Sequence, residues 1–180
     1  MAYYYSPFRK TYEEGASEGP CAFCSAPSKE RGAIYDSEGS FVESSHYYWA
    51  VALFPKFEGH TLLVPKRHIT SVVDETDEEI ISRQRLLAVA VAALGKLYPG
   101  SGVEIFVQNG LGSASSIVHI HWHVVPAMPS DSLRGFEKLG HFYTTEEKKE
   151  KVILFPQEMR LAREELQDAL SYSIPSAESQ

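Results

Sequence analysis

The chain has 180 residues, 43% hydrophobic and 23% charged, and 24 acidic against 17 basic side chains give a net charge of −7. This length indicates one domain, and the composition is typical of a globular protein rather than a disordered or fibrous one. The acidic balance argues against binding to polymeric nucleic acid, because such binding requires clustered Lys and Arg.

The sequence predicts neither a membrane-spanning segment nor an export signal. No run of roughly 18 or more apolar residues occurs, so neither a spanning helix nor a membrane partner is expected. Residues 1–10 lack the basic and apolar stretches of a signal peptide, and a cytoplasmic location is therefore expected. Cys21 and Cys24 are the two cysteines and form one Cys-x-x-Cys. In a cytosolic protein this spacing favours metal binding or redox chemistry.

Turn residues and apolar stretches predict strands in the first two thirds of the chain. Residues 1–20 are expected to form a loosely attached arm, ahead of a domain over 21–155. A hairpin is predicted over 33–42, with Gly39 at its turn. Further strands are predicted over 47–54, 61–64, 103–108 and 118–125.

Two helices are predicted. Thr76 followed by Glu79 is a capping box, and the helix that it begins is expected to end before Pro99. Its apolar face is predicted to contain Ile80, Leu87, Val91, Leu94 and Tyr98. The second helix, over 156–172, has an apolar face of Met159, Ala162, Leu166, Ala169 and Leu170. It forms, with a polar tail, a final segment over 156–180.

This order of elements predicts an α+β fold. It consists of a mainly antiparallel sheet with one long central helix and a C-terminal helix.

Residues 118–126 contain three His in alternation with apolar residues. Alternate side chains of a strand point to one side, so His119, His121 and His123 are predicted to share a face. The opposite face is expected to enter the core through Val118, Ile120, Trp122 and Val124.

Two chemistries could use this row of imidazoles. All three His could bind one catalytic metal, or the middle His could be a nucleophile between neighbours with other roles. The outer two lie roughly 13 Å apart along a strand, so three collinear donors converge poorly on one ion. Separate roles are therefore favoured.

The sequence resembles the histidine triad (HIT) family of nucleotide hydrolases and transferases, whose signature is three His alternating with apolar residues. The stretch over 108–116, with Gln108-Asn109-Gly110 and Ser116, resembles the turn that precedes the triad in that family. Residues 59–68, Gly-His-Thr-Leu-Leu-Val-Pro-Lys-Arg-His, resemble a second recurrent segment. The likeness runs from about residue 21 to 126 and implies a HIT-like domain that forms a homodimer.

The resemblance implies a role for each matching residue. His121 would attack the α-phosphorus of a nucleotide and form a nucleotidyl-histidine intermediate. The other nitrogen of His121 would need a hydrogen-bond acceptor, most simply a backbone carbonyl, to keep the attacking tautomer. His123 would stabilise charge on the phosphate. Substrate binding is expected at the turn, where backbone N–H groups can face phosphate oxygens; the residues are Asn109, Gly110, Ser115 and Ser116.

The resemblance to zinc-containing bacterial HIT proteins implies a structural Zn²⁺ site. Its ligands would be Cys21, Cys24, His68 and His119, a closed tetrahedral set. The other reading of the Cys-x-x-Cys is a reduced dithiol without metal. His60 is expected to form a local hydrogen bond, although the family has a recurrent His at this position.

Three positions depart from the family pattern. Ala52 stands where many members carry an Asn or Asp that binds ribose, Ser115 where dinucleotide-cleaving members often have Gln, and Ala127 where many have a basic residue. The departures leave the choice of nucleotide open. An apolar wall for a base could come from Tyr47, Tyr48 and Phe54.

The leading hypothesis is a HIT-type hydrolase or nucleotidyl transferase acting on adenine nucleotides such as dinucleoside polyphosphates. A dinucleoside polyphosphate phosphorylase and a nucleoside phosphoramidase are alternatives. A weakly catalytic nucleotide-binding regulatory protein is an alternative of another class, and a metalloenzyme using the His row is disfavoured by geometry.

Overall fold

A computed structural model describes most of the expected domain. The described residues are 21–24, 43–52, 55–110, 113, 115, 117–135, 137–138, 140 and 156–171. The predicted arm over 1–20 and the predicted hairpin over 33–42 lie outside them, as do Phe54 and Ser116.

The described strands form one antiparallel sheet of four. They are β1 (Tyr47–Val51), β2 (Thr61–Pro65), β3 (Gly102–Val107) and β4 (Trp122–Ala127), in the order β1-β2-β4-β3. The helices are α1 (Asp77–Leu97) and α2 (Pro156–Ser171), with a short 3₁₀ helix at Val72–Asp74. This arrangement confirms the predicted α+β class.

The fourth strand begins later than the sequence pattern predicts. Residues 118–121 do not belong to β4, because the backbone there bonds to the loop that follows β2: the Ile120 N–H donates to the Ile69 carbonyl at 2.8 Å. Val118 is 60% exposed rather than part of the core. The prediction of a strand from residue 118 is therefore wrong, although Ile120 and Val124 are buried as expected.

Helix α1 begins with the predicted capping box. The Thr76 hydroxyl accepts from the Glu79 N–H, and the Glu79 carboxylate accepts from the Thr76 N–H at 2.9 Å. The predicted apolar face is wrong at Ile80, which is 40% exposed. The buried residues of the first turns are polar instead, namely Glu79 and Ser82. The buried face then continues with apolar residues: Leu86, Leu87, Ala90, Ala93 and Leu94.

The two helices cover one face of the sheet. Trp49, Leu63 and Val124 point to that side and join α1 in the main core, which also includes Leu166 of α2. Of the predicted α2 face, the structure describes the side chains of Ala162, Leu166 and Ala169. The opposite sheet face carries a smaller apolar cluster, Tyr48, Ala50, Ala52, Leu62 and Val64, and this second face bears the His row. No helix among the described residues is long and apolar enough to cross a membrane.

Candidate active site

The backbone before β4 holds His121 in one tautomer. The Nδ1 atom of His121 lies 3.0 Å from the carbonyl oxygen of His119. A carbonyl only accepts, so Nδ1 carries the hydrogen and Nε2 keeps its lone pair. The expected hydrogen bond to a backbone carbonyl is confirmed, and it gives His121 the tautomer that a nucleophile requires.

His123 belongs to a chain of hydrogen bonds that begins at a backbone amide. The Lys56 N–H donates to Nδ1 of His60 at 3.2 Å, so the hydrogen of neutral His60 is on Nε2. That Nε2–H donates to Nδ1 of His123 at 2.9 Å. Because the Lys56 N–H can only donate, the direction of both hydrogen bonds is fixed. His123 therefore carries its own hydrogen on Nε2 and acts there as a donor.

The rings of His121 and His123 lie side by side. Their centroids are 4.8 Å apart in an edge-to-face arrangement, and both residues are buried. The site thus combines an imidazole with a lone pair on Nε2 and a second imidazole with a hydrogen on Nε2. In such a pair the first imidazole can attack an electrophilic atom, and the second can donate a hydrogen bond to an oxygen bonded to that atom.

The turn between β3 and the His row is braced by its own polar side chains. Asn109 Oδ1 accepts from the Val72 N–H at 2.8 Å, and Ser115 Oγ donates to the Ile117 carbonyl at 2.7 Å. Gly110 has φ of +75°, which favours glycine. The structure places Asn109, Gly110 and Ser115 before the His row, where their role in substrate binding stays a prediction.

Four potential metal ligands meet at the other end of the row. The ligand atoms of Cys21, Cys24, His68 and His119 all lie within 4.8 Å of one another. Nδ1 of His119 is 3.4 Å from each sulfur, and Nδ1 of His68 is 3.2 Å from the Cys24 sulfur. A tetrahedral zinc would separate neighbouring ligand atoms by roughly 3.3–3.8 Å, so the residues fit this ion.

A backbone carbonyl orients His119 toward the two cysteines. The Nε2–H of His119 donates to the Pro65 carbonyl at 3.0 Å, and the lone pair of Nδ1 is therefore directed at the sulfurs. His119 is fully buried, whereas Cys24 and His68 are exposed. His119 thus faces the cysteines rather than sharing one ion with His121 and His123, as the argument against three collinear ligands predicts.

The HIT domain family model matches residues 37–130. The chain belongs to the HIT family. An uncharacterised 16.1 kDa HIT-like protein of Mycoplasma pneumoniae is 30% identical over 118 residues, 63% of this chain and 76% of that protein. A bis(5′-adenosyl)-triphosphatase of Dictyostelium discoideum is 31% identical over 102 residues, 54% of this chain and 63% of that protein. A hypothetical histidine triad nucleotide-binding protein of Sulfolobus tokodaii has the same fold, with a TM-score of 0.61 at 16% identity, covering 84% and 92% of the two chains.

His60 is the site residue of this HIT protein that sequence reasoning undervalued. The expected local hydrogen bond exists, to Lys56, but the second ring nitrogen bonds to His123, 63 positions away. His60 is almost fully buried. The recurrent His of the second HIT segment was the available signal, because a buried His in a polar network usually has two partners.

Only part of the expected apolar wall faces the HIT site. Tyr48 lies on the site face beside Phe23, whose carbonyl accepts from the Tyr48 hydroxyl at 3.4 Å. Tyr47 points to the helix face instead, where its hydroxyl donates to Glu75, so its assignment to the wall is wrong. Burial, followed by this hydrogen bond, raises the pKa of Tyr47 above its usual range. Ala52 is buried in the site-face cluster and offers no polar side chain for ribose.

Two ion pairs connect segments around the site. Arg67 donates two hydrogen bonds to Glu79, at 2.8 and 2.7 Å, and they lower the pKa of that carboxyl to about 2. Lys138 donates to Asp131 and to the Pro126 carbonyl at the far end of β4. Burial alone would raise the pKa of Asp131, but hydrogen bonds from Lys138 and the Met128 N–H lower it.

Proposed function

We propose that this protein is a nucleotide hydrolase or nucleotidyl transferase that works through a histidine-bound nucleotidyl intermediate. The tautomer of His121 is the observation that carries the proposal, since its hydrogen bond to the His119 carbonyl leaves Nε2 able to attack. Nε2 would form a bond to the α-phosphorus while the bond from that phosphorus to the bridging oxygen breaks. Water or another acceptor would then attack phosphorus and release His121.

His123 supports this reaction as a donor. With its hydrogen on Nε2, it can donate to a phosphate oxygen or to the departing bridging oxygen, where negative charge develops. Backbone N–H groups of the turn at Gly110 would add further donors to phosphate. The net charge of −7 fits a few local phosphate contacts rather than a long polyanion.

Adenine nucleotides such as dinucleoside polyphosphates are the proposed substrates. The bis(5′-adenosyl)-triphosphatase of Dictyostelium discoideum, 31% identical over 102 residues, supports this class. Phe23 and Tyr48 supply an apolar surface beside His121, since the rings of Phe23 and His121 have centroids 5.0 Å apart. An apolar surface next to the nucleophile suits a purine base.

A structural zinc is proposed at Cys21, Cys24, His68 and His119. Four protein ligands complete a tetrahedral shell, so such an ion stabilises the fold without an open position for water. The chain's own contribution is to orient His119 through the Pro65 carbonyl. With this ion the protein would belong to the zinc-containing bacterial type of HIT protein.

A homodimer and a cytoplasmic location complete the proposal. Within the described sheet β3 is an edge strand and its Ile105 is 42% exposed, which supports pairing with a second copy. Two cysteines arranged for metal binding rather than a disulfide support a reducing compartment.

Rapid-quench kinetics with a labelled dinucleoside triphosphate tests the function. We expect the wild type to accumulate an acid-labile, protein-bound nucleotide, and His121→Ala to bind nucleotide without forming this adduct or turning over. Val118→Ala is the matched control, because this exposed neighbour lies outside the site and should keep full activity. Full activity in His121→Ala would refute the proposal.

A further inference from the structure

The register of β3 and β4 places an aromatic ring against His123. Phe106 is the cross-strand partner of His123. The two ring centroids are 4.6 Å apart and the ring planes differ by 15°, so the rings are stacked face to face. The other rings beside His123 are less parallel, at 34° for His60 and 64° for His121.

The hydrogen bond from His60 fixes only one point of the His123 ring. The bond at Nδ1 sets the tautomer, but the ring plane can still tilt about this contact, because χ2 of histidine has a broad energy minimum. A tilt moves the opposite atom, Nε2, farthest. A second restraint on the plane is therefore needed if Nε2–H is to meet a phosphate oxygen reproducibly.

Phe106 is itself held in place by the core of the site face. It packs against a cluster of Phe57 and Val125, both fully buried. A face-to-face stack against a ring packed in this way restrains the plane of the imidazole, and the aromatic contact adds some attraction.

We infer that Phe106 is a positioning residue for His123. The stacked ring holds the imidazole plane so that Nε2–H is directed at the phosphate that His121 attacks. This inference rests on the proposed function for its catalytic consequence, but the order of the His123 ring is a property of the free protein. Phe106 itself contacts neither substrate nor the reacting atoms in this role.

Three variants test the inference. Phe106→Leu removes the flat ring but keeps most of its volume, Phe106→Tyr keeps the ring, and Val118→Ala is a control at an exposed residue outside the site. We expect Phe106→Leu to lower kcat about 10- to 100-fold with KM little changed, since small misplacement of a catalytic group has effects of this size. Phe106→Tyr should keep the wild-type kcat, and Val118→Ala should match the wild type.

Nitrogen-15 NMR of the imidazole groups in the free protein supplies the second readout. The wild type should show His123 as a single ordered Nε2–H tautomer, and Phe106→Leu should broaden or average this signal. Unchanged His123 signals in Phe106→Leu, or equal loss of kcat in the Leu and Tyr variants, would overturn the inference.

The outcomes separate this inference from the proposed function. An active wild type that depends on His121, together with a fully active Phe106→Leu variant, refutes only the role of Phe106. A wild type that turns over no nucleotide refutes the proposed function. In that case the NMR comparison alone decides whether Phe106 orders His123.

Discussion

The ion pair between Arg67 and Glu79 is expected to stabilise the fold in a pH-dependent way. Glu79 is 3% exposed and its pKa falls from 4.5 to about 2, mainly because Arg67 donates hydrogen bonds to it. A shift of this size corresponds to about 3 kcal/mol if the unfolded state has the ordinary value. The Arg67 side chain is 51% exposed, so solvent screening reduces this contribution to roughly 1–2 kcal/mol.

The perturbation is Glu79→Gln, and the assay is urea unfolding of both proteins over a range of pH. Because the folded-state pKa is depressed, the stabilisation is fully present above about 4.5 and is lost as the pH falls to about 2. We therefore expect the variant to be less stable by roughly 1–2 kcal/mol at pH 7, and the difference to shrink toward pH 2. Comparing the two proteins at each pH cancels effects that they share, such as protonation of the metal ligands.

Glu78→Gln is the matched control for this experiment. Glu78 lies in the same helical turn but is exposed, so loss of its charge near the helix N-terminus should change the stability much less than Glu79→Gln does. A constant stability difference between Glu79→Gln and the wild type from pH 7 to pH 2 would refute the assignment of this stability to the ion pair.

Two further expectations concern the metal site and a close backbone contact. Zinc analysis of the wild type should give about one ion per chain. Cys21→Ser should lose the ion and have a lower melting temperature, whereas His121→Ala should keep the ion. Zinc retained by Cys21→Ser would contradict the ligand set. Gly59→Ala should destabilise by roughly 2–4 kcal/mol in urea unfolding, because of strain and overpacking. Gly59 has φ of +70° and its Cβ would lie 2.6 Å from Pro126 Cγ and 2.8 Å from Tyr98 Cε2. Gly100→Ala is the control, with φ of +82° and no atom within 4 Å, and equal losses in both variants would show that the contact contributes nothing.

The structure separates two tasks within one short segment of sequence. His119 turns toward the cysteines, while His121 and His123 face each other at the proposed reaction centre. The two ends remain in contact through Phe23, whose ring lies 5.7 Å from that of His119 and 5.0 Å from that of His121. Ordering of the cysteine turn and ordering of the nucleophile are therefore expected to depend on each other.

Local signals in the sequence determined most of the secondary structure and the chemistry of the row. The capping box and Pro99 predicted α1 correctly, because helix ends depend on hydrogen bonds within one turn. The resemblance to the HIT family predicted a group of four metal ligands, which the fold does bring together, whereas the role of His121 as nucleophile stays a prediction. Side-chain type and spacing are sufficient for such a prediction when the same ligand residues recur at the same sequence spacing in a known family.

Only the tertiary structure decided the features that depend on distant partners. Ile80 is exposed because the sheet meets another stripe of α1, and β4 starts at Trp122 because the chain before it bonds to the loop after β2. The hydrogen bond between His60 and His123 and the stack of Phe106 on His123 likewise join residues of different segments. Residues far apart in sequence determine these contacts, and no local pattern encodes the distance between them.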